Sequence, residues 1–407
     1  MMSETYESFS ATATQIAGAA VAAQEIGNDV LWTNRYLAVH GEPTGILDGA
    51  LLRTIQEGFR AVLPSAQSRY FVVADLCLKT GIELNRCAWI YYDTEKRNYE
   101  RLNANLLFPE SIDAHGPEAP ATGPARPYPG PVRHGGARRI ELPHPETPDE
   151  DVREVVAEAA GWLGDVDKTI EMLTGWSPIA QVLEPLGGNW NELERLGNAY
   201  RVAGEAVETS GENLAAVVGT LDPHWDGQAA RAFTDYAARI VDALRWEGPV
   251  GRVIEETCHL VADKIREGIV TAVRSLREML EEEVAFDDGV QKLKFALKKV
   301  PFAGTAVQIV TLARIVRDTM EFVDDVVARI RELTDALTMF LDALASPANA
   351  LQERVEQDLA PLTEAYERTG HRAAVAVDLA GLADVSGPTN RPTEAYSVGG
   401  DPWADAP

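Results

Sequence analysis

The sequence predicts an all-α protein: an elongated bundle of two packed helical hairpins with further carboxy-terminal helices. Three observations predict it. Apolar side chains recur at three- and four-residue steps over most of the chain. Pro and Gly gather in short clusters suited to turning one helix into the next. No stretch keeps the alternation of a half-buried strand; Tyr70-Phe71-Val72-Val73 leans that way, but its flanks hold helical spacing.

Residues 1–105 read as the first hairpin. Its first arm, near Glu4 to Leu37, is Ala-rich and carries Ile16, Val21, Ile26 and Val30. The breaker cluster His40-Gly41-Glu42-Pro43-Thr44-Gly45 turns the chain. The second arm presents Leu51, Ile55, Phe59, Val62, Val73, Leu76, Cys77, Leu84, Cys87 and Tyr91 at helical spacing, and Pro64 is expected to kink or break it. Residues 106–149 hold ten of the 23 prolines, between Pro109 and Pro148. So little apolar surface cannot offset ordering entropy, so an extended linker and a domain boundary are expected there.

Residues 150–286 read as a second helical domain. A short helix (Asp151 to Leu173) precedes the break Pro185-Leu186-Gly187-Gly188. A long helix from about Asn189 to Thr220 follows, its seam formed by Leu193, Leu196, Tyr200, Ala203, Val207, Leu214 and Val217. Beyond the turn Asp222-Pro223-His224-Trp225-Asp226-Gly227, a helix through Phe233, Tyr236, Ile240 and Leu244 is expected to stop at Gly248-Pro249, with another from Val250 to Val284. Residues 287–369 hold helices at about 288–299, 304–344 and 350–369. The middle one is apolar on more than one face, as a central core helix would be. The tail, 370–407, is small, polar and Pro-dotted, and is expected to be mostly disordered.

Hydrophobic residues make up 45% and charged ones 25%, ordinary for a globular protein, but the net charge is -26. Such a surface repels phosphate, which argues against nucleic acid and anionic lipid as partners. Cys77 and Cys87 would lie roughly 15 Å apart along one helix, beyond disulfide reach, and Cys258 stands alone. Thiols of this kind suit folding in a reducing cytosol. The first cationic side chain is Arg35, so the basic start of a general secretory signal is missing. The most apolar run, Val300 to Val316, is too short to span a bilayer and contains Arg314.

The strongest motif is Trp225-Asp226-Gly227-Gln228-Ala229-Ala230-Arg231-Ala232-Phe233. Pro223 pushes its predecessor out of the helical basin, Gly227 lets the chain enter the next helix, and the alanines permit close packing at the hairpin base. Trp225 is expected at the bundle tip with little to cover it. This segment resembles the Trp-x-Gly turn of the WXG family, helical-hairpin substrates of the type VII secretion system, and of the related PPE proteins. A second signal is Tyr91-Tyr92-Asp93-Thr94-Glu95, in which Tyr91 and Glu95 are four apart on one helix face. It looks like the Tyr-x-x-x-acid export signal carried by one partner of type VII substrate pairs. Together the two signals resemble a single-chain PE–PPE-like arrangement over about residues 5–104 and 150–286. The Pro-Glu and Pro-Pro-Glu openings of that group are absent, so the broader WXG-like relationship is the one implied.

The resemblance implies a non-catalytic protein that acts by binding. Tyr91 and Glu95 would dock on the export machinery or a cognate chaperone, and Trp225 and Gly227 would fix the adjacent tip. It also implies folding in the cytoplasm and export by a route other than the general secretory one. No catalytic residue, cofactor or metal is expected: the seven histidines lack ligand companions, His224 reads as a turn residue, and Cys258 and His259 point about 100° apart on a helix. Two alternatives stand beside this reading. One is a cytoplasmic helical scaffold that forms homo-oligomers. The other is a membrane-perturbing effector using residues 292–320, where Lys292, Lys294, Lys298 and Lys299 flank Leu293, Phe295 and Leu297; a basic bend between core helices accounts for the same residues.

Overall fold

A computed structural model describes residues 10–44, 50–103, 126–148, 152–186, 189–283, 303–346, 359–364, 366–368 and 372–398. The described residues are helical almost throughout. The helices are α1 (Ala13–His40), α2 (Ala50–Asn103), α3 (Val152–Ala160), α4 (Trp162–Thr174), α5 (Pro178–Leu183), α6 (Trp190–Leu221), α7 (Gln228–Glu283), α8 (Ala303–Leu344), α9 (Arg372–Ala383) and α10 (Ser386–Thr389). At 1.5 Å per residue α7 follows a path of roughly 80 Å, which sets the elongated form.

Two antiparallel hairpins form the centre. In the first, Gly27 of α1 faces Ala74 and Leu78 of α2, while Gly81 faces Ala20 and Gln24. In the second, Gly197, Gly204 and Gly211 of α6 face Glu255 and Cys258, Glu247 and Gly251, and Val241 and Leu244 of α7 in turn. Their seven-residue spacing keeps one small face along the helix. At Gly204 a Cβ would meet the Glu247 carbonyl oxygen at 2.4 Å, so only glycine fits. The first hairpin lies on the second through α1 and α6. At one pole Arg195 of α6 donates to the carbonyls of His40 (2.8 Å) and Glu42 (3.0 Å) at the end of α1. At the other, the start of α1 meets the α6–α7 turn.

Both helices expected to break at proline run on. Pro64 lies inside α2 and Pro249 inside α7. A proline forfeits one backbone hydrogen bond, but packing on either side outweighs that loss. Phe59, Val62 and Ala66 are buried around Pro64; Trp246, Val250, Val253 and Ile254 are buried around Pro249. Just past Pro64, Ser65 and Arg69 both donate to the carbonyl of Leu344 at the end of α8, each at 3.0 Å. Arg69 also makes a two-pronged, buried ion pair with Glu247 of α7 (2.7 and 3.1 Å), joining α2, α7 and α8. The helix expected from Asp151 to Leu173 is split at Gly161 into α3 and α4. The expected helix at 288–299 lies outside the described residues. Ile315, Val316, Val323 and Val327 of α8 are core, and α8 packs on α2 and α7.

Two segments expected to be loosely held are docked. Residues 126–148 are extended, and backbone hydrogen bonds strap them to the bundle. Asn213 brackets Arg138, accepting from its N–H (2.7 Å) and donating to its carbonyl (2.9 Å). Asn198 accepts from the Glu146 N–H at 2.9 Å, and Val132 N–H donates to the Thr14 carbonyl at 3.0 Å. Residues 372–398, expected to be disordered, also pack. Asp378 of α9 pairs with Arg252 of α7 at 2.8 Å, and Tyr396 and Val398 are buried. Val375, Leu382 and Val385 are buried as well, so aliphatic side chains hold the segment together with these anchors.

Candidate functional site

The pole where both hairpins end carries the residues singled out in sequence. Pro223 closes α6 through a single tight turn, Asp222–His224, after which Trp225 is extended (φ -150°, ψ 118°). Gly227 then takes φ +91°, a left-handed value that would strain any residue with a Cβ, and α7 starts at Gln228. Residues 10–12 run antiparallel to this turn. Thr12 N–H donates to the His224 carbonyl (2.9 Å), Asp226 N–H to the Ser10 carbonyl (2.9 Å), and Ser10 N–H to the Asp226 carboxylate (2.7 Å).

The Trp225 indole N–H donates to the Tyr91 hydroxyl at 3.1 Å. The two rings meet edge to face, with centroids 6.3 Å apart, so the Trp-x-Gly turn and the Tyr-x-x-x-acid helix are joined side chain to side chain. Phe233, in the second turn of α7, has its ring centroid 5.7 Å from that of Trp225, and the Tyr396 ring lies 5.4 Å from Phe233. The Tyr396 hydroxyl donates to the Ala229 carbonyl at 3.0 Å.

Trp225 is only 3% exposed, where sequence reasoning expected it to stand uncovered. The cover comes from Phe233, within the same motif, and from Tyr91 and residues 10–12, which are remote in sequence from the turn. Tyr91 is likewise buried, at 4% exposure. Burial pushes its phenol pKa well above the usual range, although the Trp225 bond opposes that shift, so it stays protonated. Glu95, one turn further along α2, is exposed. Tyr91 and Glu95 therefore do not present one shared surface: the phenol faces inward to Trp225 and the carboxylate faces solvent. Gly227 fixes the turn rather than offering a contact.

Sequence reasoning missed Tyr396 and residues 10–12. It also missed the aromatic cluster beside Tyr91 in which Trp89 and Tyr92 flank Tyr128 of the strap at 5.1 and 6.0 Å. The repeated Trp and Tyr of Trp89-Ile90-Tyr91-Tyr92 was the available signal, since aromatic residues this dense at one helix level need a partner.

Among the described residues no group of three or more His, Cys, Asp or Glu could hold a metal ion. Cys77, Cys87 and Cys258 are buried free thiols, and burial pushes the Cys258 pKa well above normal, the reverse of an activated nucleophile. A groove of about 750 Å³ between α7 and α8 is lined by Lys264, Glu267, Thr271, Phe322, Arg329 and Arg368, with no nucleophile and base facing each other. No described helix is long and apolar enough to cross a membrane, and residues 292–302 lie outside the described part of the chain. Set against models of protein families, curated proteins and solved structures, the chain matches none.

Proposed function

We propose that this protein is non-catalytic and works by binding other proteins, as a type VII secretion substrate or secretion-associated protein of the WXG-like kind. One observation carries the reading: the Trp225 indole bonded to the Tyr91 hydroxyl at the shared end of two antiparallel hairpins. A Trp-x-Gly turn and a Tyr-x-x-x-acid helix that met only by chance would have no reason to be paired atom to atom. In this reading Trp225, Gly227 and Tyr91 hold the pole rigid, and Glu95, exposed one turn beyond, is the group that export machinery or a chaperone touches. The protein would fold in the cytoplasm and leave by a route other than the general secretory one.

Export from a host carrying a type VII system tests it. Glu95→Ala alters only an exposed side chain, so helical content and unfolding midpoint should be unchanged while the secreted fraction falls at least tenfold. Wild-type secretion by Glu95→Ala, or retention of the wild-type chain in that host, would overturn the reading.

A second reading is favoured by the apolar side chains on the outside of the first hairpin. Trp32 and Val39 of α1 are 61% and 60% exposed, and Phe71 of α2 is 58% exposed. They suit a scaffold that self-associates through that hairpin and stays in the cell. Cell fractionation separates the two: the scaffold reading requires the chain in the cytoplasmic fraction whatever residue stands at 95.

A further inference from the structure

We propose that α2 carries a peptide-binding groove, formed by Asn85, Trp89 and Tyr92, for a proline-flanked tyrosine segment of a partner protein. In the resting molecule the chain's own residues 126–129 fill it. The inference is independent of the export reading.

The groove binds its occupant as a peptide. The Trp89 indole N–H donates to the carbonyl of Arg126 at 2.7 Å, and the Asn85 amide donates to the same carbonyl at 3.1 Å. Asn85 also accepts from the Tyr128 N–H at 2.8 Å. Backbone groups of Arg126 and Tyr128 are thus gripped by two side chains of one helix, Trp89 three and Asn85 seven residues before Tyr92. Tyr128 is 8% exposed, its ring edge-on to both Trp89 and Tyr92. Its neighbours Pro127 and Pro129 fix φ near the extended value the groove needs, so little chain entropy is lost on docking. Gly130, at φ +64°, then turns the chain away. An aromatic wall with an indole donor, reading the backbone of a proline-rich segment, is how proline-rich ligands are generally recognised.

The docked segment defines the chemistry of the partner: an extended Arg-Pro-Tyr-Pro segment or a close relative. It also explains why the site is covered. A tethered ligand has an effective concentration on the order of millimolar, so an outside peptide enters only when the strap is weakened or the partner is tethered nearby.

The test uses the full chain and a fluorescein-labelled peptide of residues 124–131, with binding read by anisotropy. Tyr128→Ala removes the ring from between Trp89 and Tyr92 and so weakens the strap, and that chain should bind the peptide at least tenfold more tightly than wild type. Adding Trp89→Phe or Asn85→Ala should each weaken binding about tenfold, and a peptide with Ala for Tyr should not bind. Pro127→Ala with Pro129→Ala loosens the strap more gently and should give intermediate binding, which keeps the test available if Tyr128→Ala misfolds. No saturable binding to a folded strap variant, or equal binding after Trp89→Phe and Asn85→Ala, would overturn the proposal.

Discussion

The link between Trp225 and Tyr91 can be measured as a coupling energy. Tyr91→Phe removes the hydroxyl and leaves the indole N–H of Trp225, buried at 3% exposure, without its acceptor. A buried donor left in that state costs about 1–3 kcal/mol. Trp225→Phe removes the donor, and a net hydrogen-bond contribution of about 0.5–1.5 kcal/mol goes with it, plus some lost packing. In the double variant Phe can still meet Phe edge to face, and whatever each single change loses apart from the link cancels in the cycle. The double variant should therefore be destabilised by less than the sum of the singles, by about 1 kcal/mol. Urea denaturation of the four chains, followed by far-ultraviolet circular dichroism, gives the cycle directly. Effects that add within about 0.3–0.5 kcal/mol would show that the two groups do not interact and would remove the basis for the proposed function.

Two other perturbations follow from the packing. Gly204→Ala places a methyl 2.4 Å from the Glu247 carbonyl oxygen, so α6 and α7 must part; the loss should be about 1–3 kcal/mol or more. Gly219→Ala on the same helix meets nothing within 4 Å and should stabilise by about 0.5–1 kcal/mol, so equal thermal shifts for the two would contradict the close crossing. The third concerns pH. Burial, then His144 (ring centroids 4.8 Å apart) and Arg195, lower the pKa of His40 below 6.5, and Tyr36 closes the same ring from within α1. A folded pKa below the unfolded one means that the unfolded chain binds more protons in that interval. The contribution of His40 is complete above pH 6.5 and is lost as the pH falls through 6.5 toward the folded value. Melting temperature should drop between pH 7 and pH 5, and His40→Gln should flatten that slope; an unchanged slope would refute the assignment.

Much of the fold was legible because amphipathic periodicity is a local property. The arms around Ile16 to Val30, Leu51 to Tyr91 and Leu193 to Val217 all lie on helices whose buried faces follow the three-four spacing. The misreadings arose where tertiary contacts override a local rule. Pro64 and Pro249 break isolated helices, yet Phe59, Ala66, Trp246 and Val250 anchor the turns on either side. The strap at 126–148 looked unable to order itself because apolar burial was the only term weighed. It is held by asparagine side chains at 85, 198 and 213, residues that look like ordinary solvent-facing polar positions until their partners are known. At the site, the meeting of Trp225 with Tyr91 was expected from the hairpin arrangement. Their burial was not, because Ser10, Ala11 and Tyr396 carry no sequence mark of where they dock.

The pole at Trp225 draws on three widely separated stretches of chain, and this orders events on the ribosome. The first hairpin has every residue it needs early, but its open end has nothing to close on until the α6–α7 turn emerges. The final ring, Tyr396, arrives later still. At ~5–20 residues per second, the gap between making the turn and making Tyr396, whose ring lies against Phe233, is on the order of ten seconds or more. A nascent chain would pass that interval with Phe233 and Tyr236 lacking the ring that packs on them, which is when a holding chaperone could engage it, and a prematurely terminated product would keep those two rings uncovered.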